Sequence, residues 1–102
     1  MHVMVLGPVS TSEGRNADAF ELACSILRNA GHVAHNPLDL VLDGSPYDDM
    51  PACEAMLSEC RGVALLGGWD RSVSAALLAE RARALHHEVF DMTWIGEVER
   101  CR

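Results

Sequence analysis

Short apolar runs alternate with longer helical stretches along this chain of 102 residues, and this alternation limits the folds open to it. A strand covered on both faces has a continuous apolar sequence, whereas an amphipathic helix repeats apolar residues every three or four positions. The apolar runs are residues 2–6, 32–34, 62–66 and 88–92, and the helical stretches are residues 16–30, 50–61 and about 72–85. This order predicts one α/β domain over residues 1–102, a small doubly wound parallel sheet of about four strands.

Residues that commonly begin and end helices flank these helical stretches. Ser12 or Asn16 is predicted to cap the first helix, and Gly31 suits the position just after its end. Asp70 or Ser72 is predicted to cap the third and longest helix.

Two further segments connect or follow these elements. Residues 36–46 are predicted to form a loop, and a connection of this length in a compact domain is usually functional or mobile. Thr93 is predicted to cap a short terminal helix that contains Trp94, Ile95 and Val98.

The charge balance and the lack of lysine exclude several kinds of chemistry. A formal charge of -7 argues against a nucleic acid or an anionic membrane surface as the main partner. All eight basic residues are arginine, which excludes a lysine Schiff base and a Walker-type phosphate lysine. No apolar run approaches the length of a membrane span, and the first residues lack the features of a signal peptide. We therefore expect a cytoplasmic protein that does not enter a membrane.

The cysteines and histidines form no recognisable metal-binding pattern. A structural zinc site needs four clustered nitrogen or sulfur ligands, and the chain has no CxxC spacing. The four cysteines are Cys24, Cys53, Cys60 and Cys101. In a cytoplasmic protein they are expected to be buried or idle thiols, since disulfides are rare there. His86 and His87 are neighbours at a predicted helix-to-strand junction and do not face the same way. We expect neither a metal nor another cofactor.

Turn-forming and polar residues follow the ends of the first three predicted strands. These are Gly-Pro at 7–8, Asn-Pro at 36–37 and Gly-Gly-Trp at 67–69. Open α/β sheets bind ligands in the crevice beyond the carboxyl ends of their strands. Gly7 allows a ligand to approach the backbone closely, and Ser-Thr-Ser at 10–12 supplies hydroxyl groups. We therefore expect the floor of any small-molecule site at these loops.

These three motifs, with RNAGHVAHNP before the loop and DRSVSAALLAERARAL after the tryptophan, resemble a known group. The chain looks like the short bacterial and phage proteins related to nucleoside 2-deoxyribosyltransferases and deoxynucleotide N-glycosidases, from His2 to about Phe90. The resemblance implies a flavodoxin-like Rossmann fold with a nucleotide-sized pocket at the strand ends. The family cleaves the N-glycosidic bond of a deoxynucleoside or its monophosphate through a nucleophilic glutamate. Other groups assist, typically including an aspartate on the preceding helix.

The chain departs from this family at the positions that carry the chemistry. The glutamate of the family pattern Ser-x-Gly-Ala-x-x-Glu falls nine residues after Trp69, at Leu78, and the family glycine falls at Ser74. The helix aspartate falls at Cys53. Glu80 lies two residues beyond Leu78, and two helical steps turn it about 200° away. The resemblance therefore implies a member whose catalysis is impaired.

The residues expected to contact a ligand lie in the strand-end loops and at the starts of the following helices. They are Gly7, Pro8, Ser10, Thr11, Asn16, Asn36, Gly67, Gly68, Trp69 and Ser72. For an active enzyme, Asp48, Asp49 and Glu80 are the candidate catalytic carboxylates. Structural roles also stay open: Asn36 in an Asx turn, Trp69 as core filler, and the two aspartates as a solvated helix start.

Three functions are compatible with the sequence. The first is a catalytically impaired module that binds a nucleotide or nucleoside, or a protein partner. The second is an active deoxynucleoside monophosphate N-glycosidase or deoxyribosyltransferase with carboxylates from elsewhere. The third is a phage or host-modulating protein that uses the fold as a scaffold, in the host cytoplasm if phage-encoded.

Arg15 or Arg71 would pair with a phosphate, although exposed arginines usually pair with neighbouring carboxylates. Relatives commonly form dimers or larger assemblies, and the apolar second helix with Trp94 and Ile95 favours a homodimer here.

Overall fold

In the computed structural model, which describes residues 1–9 and 15–96, strands and helices alternate along the chain. The strands are β1 (His2–Leu6), β2 (Val33–His35), β3 (Gly62–Leu66) and β4 (Glu88–Met92), and the helices are α1 (Ala17–Asn29), α2 (Met50–Ser58) and α3 (Val73–Ala84). Two short 3-10 turns, Pro37–Leu40 and Pro46–Asp48, interrupt the long connection between β2 and α2. No helix in the described ranges is long and apolar enough to cross a membrane. The alternation confirms the α/β class.

All four strands are parallel, and they are hydrogen-bonded in the order β2-β1-β3-β4. Val5 of β1 lies opposite Ala64 of β3, which lies opposite Phe90 of β4. On the other side of β1, Met4 lies opposite His35 of β2. The strand order is that of a flavodoxin-like sheet, and it reverses between β1 and β3, where such sheets bind ligands. The expectation of a small doubly wound parallel sheet is therefore confirmed.

The two faces of the sheet are covered by different helices. Successive side chains of a strand point to opposite faces. Val3 and Val5 therefore pack with Phe20 beneath α1, whereas Met4 and Leu6 pack beneath α2 and α3. All five residues of the central strand β3 are buried. Cover on both faces explains why the strand sequences are continuously apolar instead of alternating.

The end of α1 determines where β2 begins. Gly31 follows the helix with φ 93°, the left-handed conformation expected of a residue in that position. The next amide, that of His32, donates to the carbonyl oxygen of Leu27 at 3.0 Å. Because this hydrogen bond belongs to the helix end, β2 begins at Val33, one residue later than the sequence predicted.

The second helix is shorter than predicted. It ends at Ser58, with Glu59 as its C-cap, instead of continuing to residue 61. The amide of Arg61 donates to the carbonyl oxygen of His2 at 2.8 Å. Arg61 thus already lies beside β1 at the start of the sheet, and this long-range hydrogen bond removes it from the helix.

The chain after β4 forms a turn over residues 93–96, where the sequence predicted the start of a helix. The hydroxyl of Thr93 donates to Oδ1 of Asp91 at 2.7 Å, so its side chain is directed back to β4 instead of capping a helix. Ile95 is buried against the core beneath α1. Val98, also part of that prediction, lies outside the described residues.

Replacing Phe20 with alanine is expected to destabilise the protein by about 3–5 kcal/mol, because the ring is fully buried beneath α1. Leu22 on the same helix is 47% exposed, so Leu22→Ala is the matched control and is expected to cost less than about 1 kcal/mol. Urea unfolding of both variants measures the two free energies. Equal losses would contradict the assignment of the buried side of α1.

Candidate functional site

The carboxyl ends of the strands meet at one edge of the sheet, because all the strands are parallel. Gly7 follows β1, Asn36 follows β2, Gly67 follows β3 and Thr93 follows β4. The amide of Gly67 donates to the carbonyl oxygen of Ile95 at 2.9 Å, which ties the end of β3 to the turn after β4. The structure thus brings the three strand-end motifs to one edge and adds Thr93, which the sequence analysis did not place there.

A groove of about 260 Å³ opens between the carboxyl ends of β3 and β4, and we name it the Trp69 groove. Its lining residues are Gly68, Trp69, Asp70, Arg71 and Thr93. Gly68 turns the chain away from β3 with φ 86°, a conformation that suits glycine. Trp69 is half-buried and packs against the apolar cluster beneath α2 and α3. The tryptophan therefore packs as core filler, one of the two roles considered from the sequence, and it also forms a wall of the groove.

A second groove, of about 460 Å³, lies beside α1 and the turn after β2, and we name it the Asn36 groove. Arg15, Glu21, Cys24, Arg28, Asn36 and Asp39 are among its lining residues. Asn36 is buried, and its Oδ1 accepts a hydrogen bond from the amide of Leu38 at 3.0 Å. This bond confirms the Asx turn that the sequence left open. The guanidinium groups of Arg15 and Arg28 donate to backbone carbonyl groups. The structure thus places Asn36 and Trp69 in different grooves.

The end of β1 is covered by Tyr47, a residue that the sequence analysis did not select. The hydroxyl of Tyr47 donates to the carbonyl oxygen of Gly7 at 2.6 Å and accepts from the amide of Gly7 at 3.3 Å. Gly7 is buried, and a Cβ atom added there would lie 2.8 Å from Cβ of Leu66. The backbone groups of Gly7 that we expected to face a ligand are therefore satisfied within the protein.

Tyr47 is presented by the second 3-10 turn, Pro46–Asp48. Ser45 begins this turn, and its hydroxyl accepts from the amide of Tyr47 at 3.1 Å. Burial raises the pKa of Tyr47 well above its ordinary value, and the hydrogen bond with Gly7 lowers it by less. The phenol is thus a neutral donor. The Ser-Pro dipeptide signals a turn at this point, but no local signal shows that the ring reaches Gly7, 40 positions away.

The two positions at which the family resemblance implies carboxylates lie in the apolar cluster beneath α2 and α3. Cys53 is fully buried and Leu78 is 1% exposed. The thiol of Cys53 donates to the carbonyl oxygen of Pro46 at 3.2 Å. Burial, with smaller effects from the negative charges of Asp49 and Glu54, raises the pKa of Cys53 to about 11. The thiol therefore stays protonated at neutral pH.

The three candidate catalytic carboxylates, those of Asp48, Asp49 and Glu80, belong to exposed residues. Oδ1 of Asp49 accepts from the amide of Ala52 at 3.2 Å and caps α2. Glu80 lies on the exposed side of α3 while Leu78 faces the core, as the helical geometry predicted. Asp49 thus forms the exposed start of α2, whereas Asp48 is the last residue of the 3-10 turn before it.

Other expected site residues serve loop closure and helix capping. Asn16 occupies the N-cap position of α1 with φ 62°, but its Nδ2 donates to the carbonyl oxygen of Pro8 at 3.0 Å instead of accepting from the helix. Of the two candidate caps of α3, Ser72 is the one that caps it, and it accepts from the amide of Ala75 at 3.3 Å. Ser10 and Thr11, with the candidate cap Ser12, belong to residues 10–14, which lie outside the described ranges.

The metal-binding residue types are scattered in the described part of the chain. No group of three or more histidine, cysteine, aspartate or glutamate side chains there is placed to hold a metal ion. Cys24, Cys53 and Cys60 are buried free thiols, as expected, and Cys101 lies outside the described ranges.

Comparison with known proteins identifies a family whose description names no function. Residues 1–91 match the family described as Domain of unknown function (DUF4406). A search of the curated proteins finds no match to the chain. The matched residues include β1 to β3 and all of β4 except Met92.

The phenol of Tyr47, the single tyrosine of the chain, is expected to stay protonated in the native protein above about pH 10, near which a free tyrosine ionises. Because the folded-state pKa is raised, this group's contribution to stability is intact below about pH 10 and is lost as the pH rises further, when the unfolded chain releases the proton. A pH titration of tyrosinate absorbance, run on native and on urea-unfolded protein, measures the pKa of the phenol in each state. Identical titration curves would contradict the burial of the phenol.

Tyr47→Phe removes only the hydroxyl that bonds to the backbone of Gly7, so it is expected to destabilise the protein by about 1–3 kcal/mol. Ser58→Ala is the matched control, since it removes an exposed hydroxyl and is expected to cost less than about 0.5 kcal/mol. Urea unfolding compares the variants. If Tyr47→Phe costs no more than the control, Tyr47 does not hold Gly7.

Proposed function

The chain belongs to the DUF4406 family, whose description names no function, and we propose that it binds a nucleoside or nucleotide without cleaving the glycosidic bond. The proposal keeps the ligand class implied by the resemblance to nucleoside 2-deoxyribosyltransferases and omits their reaction. The observation that carries it is the Trp69 groove at the carboxyl edge of the sheet, next to an apolar cluster that holds Leu78 and Cys53.

The groups that line the Trp69 groove suit the parts of a nucleotide. The indole of Trp69 offers a face for a base or a ribose, and one such stacking contact contributes about 1–3 kcal/mol. The guanidinium of Arg71 has the forked shape that matches a phosphate. The hydroxyl of Thr93 donates to Asp91, so its oxygen still has room to accept from a sugar hydroxyl. Since sites for small molecules usually enclose about 300–1,000 Å³, part of the ligand extends beyond this groove.

The surroundings of Leu78 and Cys53 support a binding role over cleavage. Covalent cleavage of a glycosidic bond needs a carboxylate that attacks the anomeric carbon and a second group that handles the proton. Leu78 has no ionisable group, and the raised pKa of Cys53 keeps its thiol neutral. Both side chains face the core, where an unpaired charge is strongly disfavoured.

An active enzyme that recruits other carboxylates is the less favoured alternative. The carboxylate of Asp49 already caps α2, and that of Asp48 lies on the exposed 3-10 turn just before it. Glu80 lies on the side of α3 away from Leu78. None of the three therefore combines burial with a position at the family's catalytic residues.

A homodimer in the cytoplasm is part of the proposal. Of the two residues that favoured a dimer from sequence, Ile95 is buried, whereas Trp94 is 57% exposed. Helix α3 adds Val73 and Leu77, which are 85% and 54% exposed and lie one turn apart on the same side of the helix. These exposed apolar side chains support contact with a second copy or with another protein.

Isothermal titration with deoxynucleoside 5′-monophosphates is expected to show binding, while chromatography of the same mixtures shows no free base above the uncatalysed rate. Trp69→Ala is expected to weaken binding by about 1–3 kcal/mol, the contribution of one stacked base. Trp69→Phe keeps an aromatic ring in contact with the core and is expected to retain most of the affinity. The matched control is Trp94→Ala, which removes the exposed tryptophan outside the groove and is expected to leave affinity unchanged.

Three results would argue against the proposal. Release of free base would show that a carboxylate elsewhere in the chain replaces the family nucleophile. Equal weakening by Trp69→Ala and Trp94→Ala would place the ligand outside the Trp69 groove. If the protein neither binds the nucleotide nor releases free base, the result would favour a role of the fold as a scaffold for protein partners.

A further inference from the structure

Two histidines from neighbouring strands lie side by side on one face of the sheet. His2 pairs with Val33, and Met4 pairs with His35, so the two histidines are diagonal neighbours in the β1–β2 pair. Nδ1 of His2 lies 2.8 Å from Nε2 of His35, with the ring planes 28° apart. His2 is exposed and His35 is half-buried, so the pair is reachable from solvent. The Trp69 groove does not include either residue.

The distance between these two nitrogens matches the spacing of two ligands on one metal ion. Nitrogen atoms bound about 2.0 Å from a metal and at right angles to each other lie about 2.8 Å apart. A tetrahedral angle widens that spacing to about 3.3 Å. Right angles between ligands are the geometry that Ni²⁺ and Cu²⁺ adopt with nitrogen and oxygen ligands, and both ions bind imidazole well. The pair therefore has a spacing that one such ion can bridge.

We propose that His2 and His35 form a two-histidine chelating site for a divalent transition-metal ion of the Ni²⁺ and Cu²⁺ class. The metal lies to one side of the line between the two nitrogens, about 2.0 Å from each, and the proton of their hydrogen bond moves to the other ring nitrogen of the donating imidazole. Water completes the coordination. Because both ligands stand on hydrogen-bonded strands, little conformational freedom is lost on binding. Acid weakens the site, since protons compete for the same nitrogens.

Other nitrogen groups of the chain provide the comparison that a test needs. The N-terminal amine of Met1 lies 3.2 Å from Nδ1 of His32, and this pair is the main competitor for a metal ion. His87 contacts the carbonyl oxygen of Leu57 through its Nε2 at 3.0 Å. His86 is exposed, with φ 62°, a conformation that asparagine also tolerates. A metal bound at His32, His86 or His87 does not depend on His35.

Calorimetric titration of the protein with Ni²⁺, in a preparation without a histidine tag, tests the proposal. The wild-type chain is expected to bind one ion. His2→Gln and His35→Gln are each expected to weaken binding at least about tenfold, since even substitutions outside the ligand shell commonly cost that much. The double variant is expected to have the same low Ni²⁺ affinity as either single variant. Removing the first histidine already destroys the chelate, so removing the second costs little more.

The controls are His32→Gln and His86→Asn, and both are expected to leave the Ni²⁺ affinity unchanged. Unfolding midpoints measured without metal check that all variants are folded. Loss of binding in His32→Gln would assign the ion to the amine pair and overturn the proposal. Wild-type affinity in His2→Gln or in His35→Gln, or no Ni²⁺ binding by the wild-type protein, would overturn it as well. Nucleotide binding is a separate measurement, so failure of either proposal leaves the other standing.

Discussion

The contact between the phenol of Tyr47 and the backbone of Gly7 closes the end of β1 at the carboxyl edge of the sheet. Gly7 follows β1, next to the point where the strand order reverses, and there both its amide and its carbonyl are bonded to one side chain. Because Tyr47 comes from the long connection after β2, the same contact ties that connection to the centre of the sheet. The open space of the Trp69 groove lies one strand further, between β3 and β4.

The apolar cluster beneath α2 and α3 packs against a wall of the Trp69 groove. Tyr47 and Trp69 both pack against the cluster that contains Cys53 and Leu78. The cluster against which the tryptophan packs therefore includes the two positions at which the resemblance implies carboxylates. Burial raises the pKa of Cys53 to about 11, and by the same physics it would disfavour an ionised carboxylate there.

The sequence predicted the elements whose signals are local and missed those that depend on distant contacts. The strands β1, β3 and β4 have their predicted bounds, because buried parallel strands are continuous apolar runs. The predicted start of β2 at His32 and the predicted end of α2 at Arg61 were wrong, because hydrogen bonds from the amides of these two residues set the boundaries at Val33 and Ser58. At the carboxyl edge, Gly68 and Trp69 of the motif at 67–69 line the Trp69 groove. Tyr47 and the His2–His35 pair carried no local signal, because their contacts span 40 and 33 positions.

The most direct test of the central claim is a map of backbone amide chemical shifts during titration with a deoxynucleoside 5′-monophosphate. The account predicts that the largest changes fall on Gly68, Trp69, Arg71 and Thr93, which line the Trp69 groove. It predicts smaller changes at Gly7, whose amide is held by Tyr47. Changes confined to the Asn36 groove, or no changes at any amide, would contradict the account.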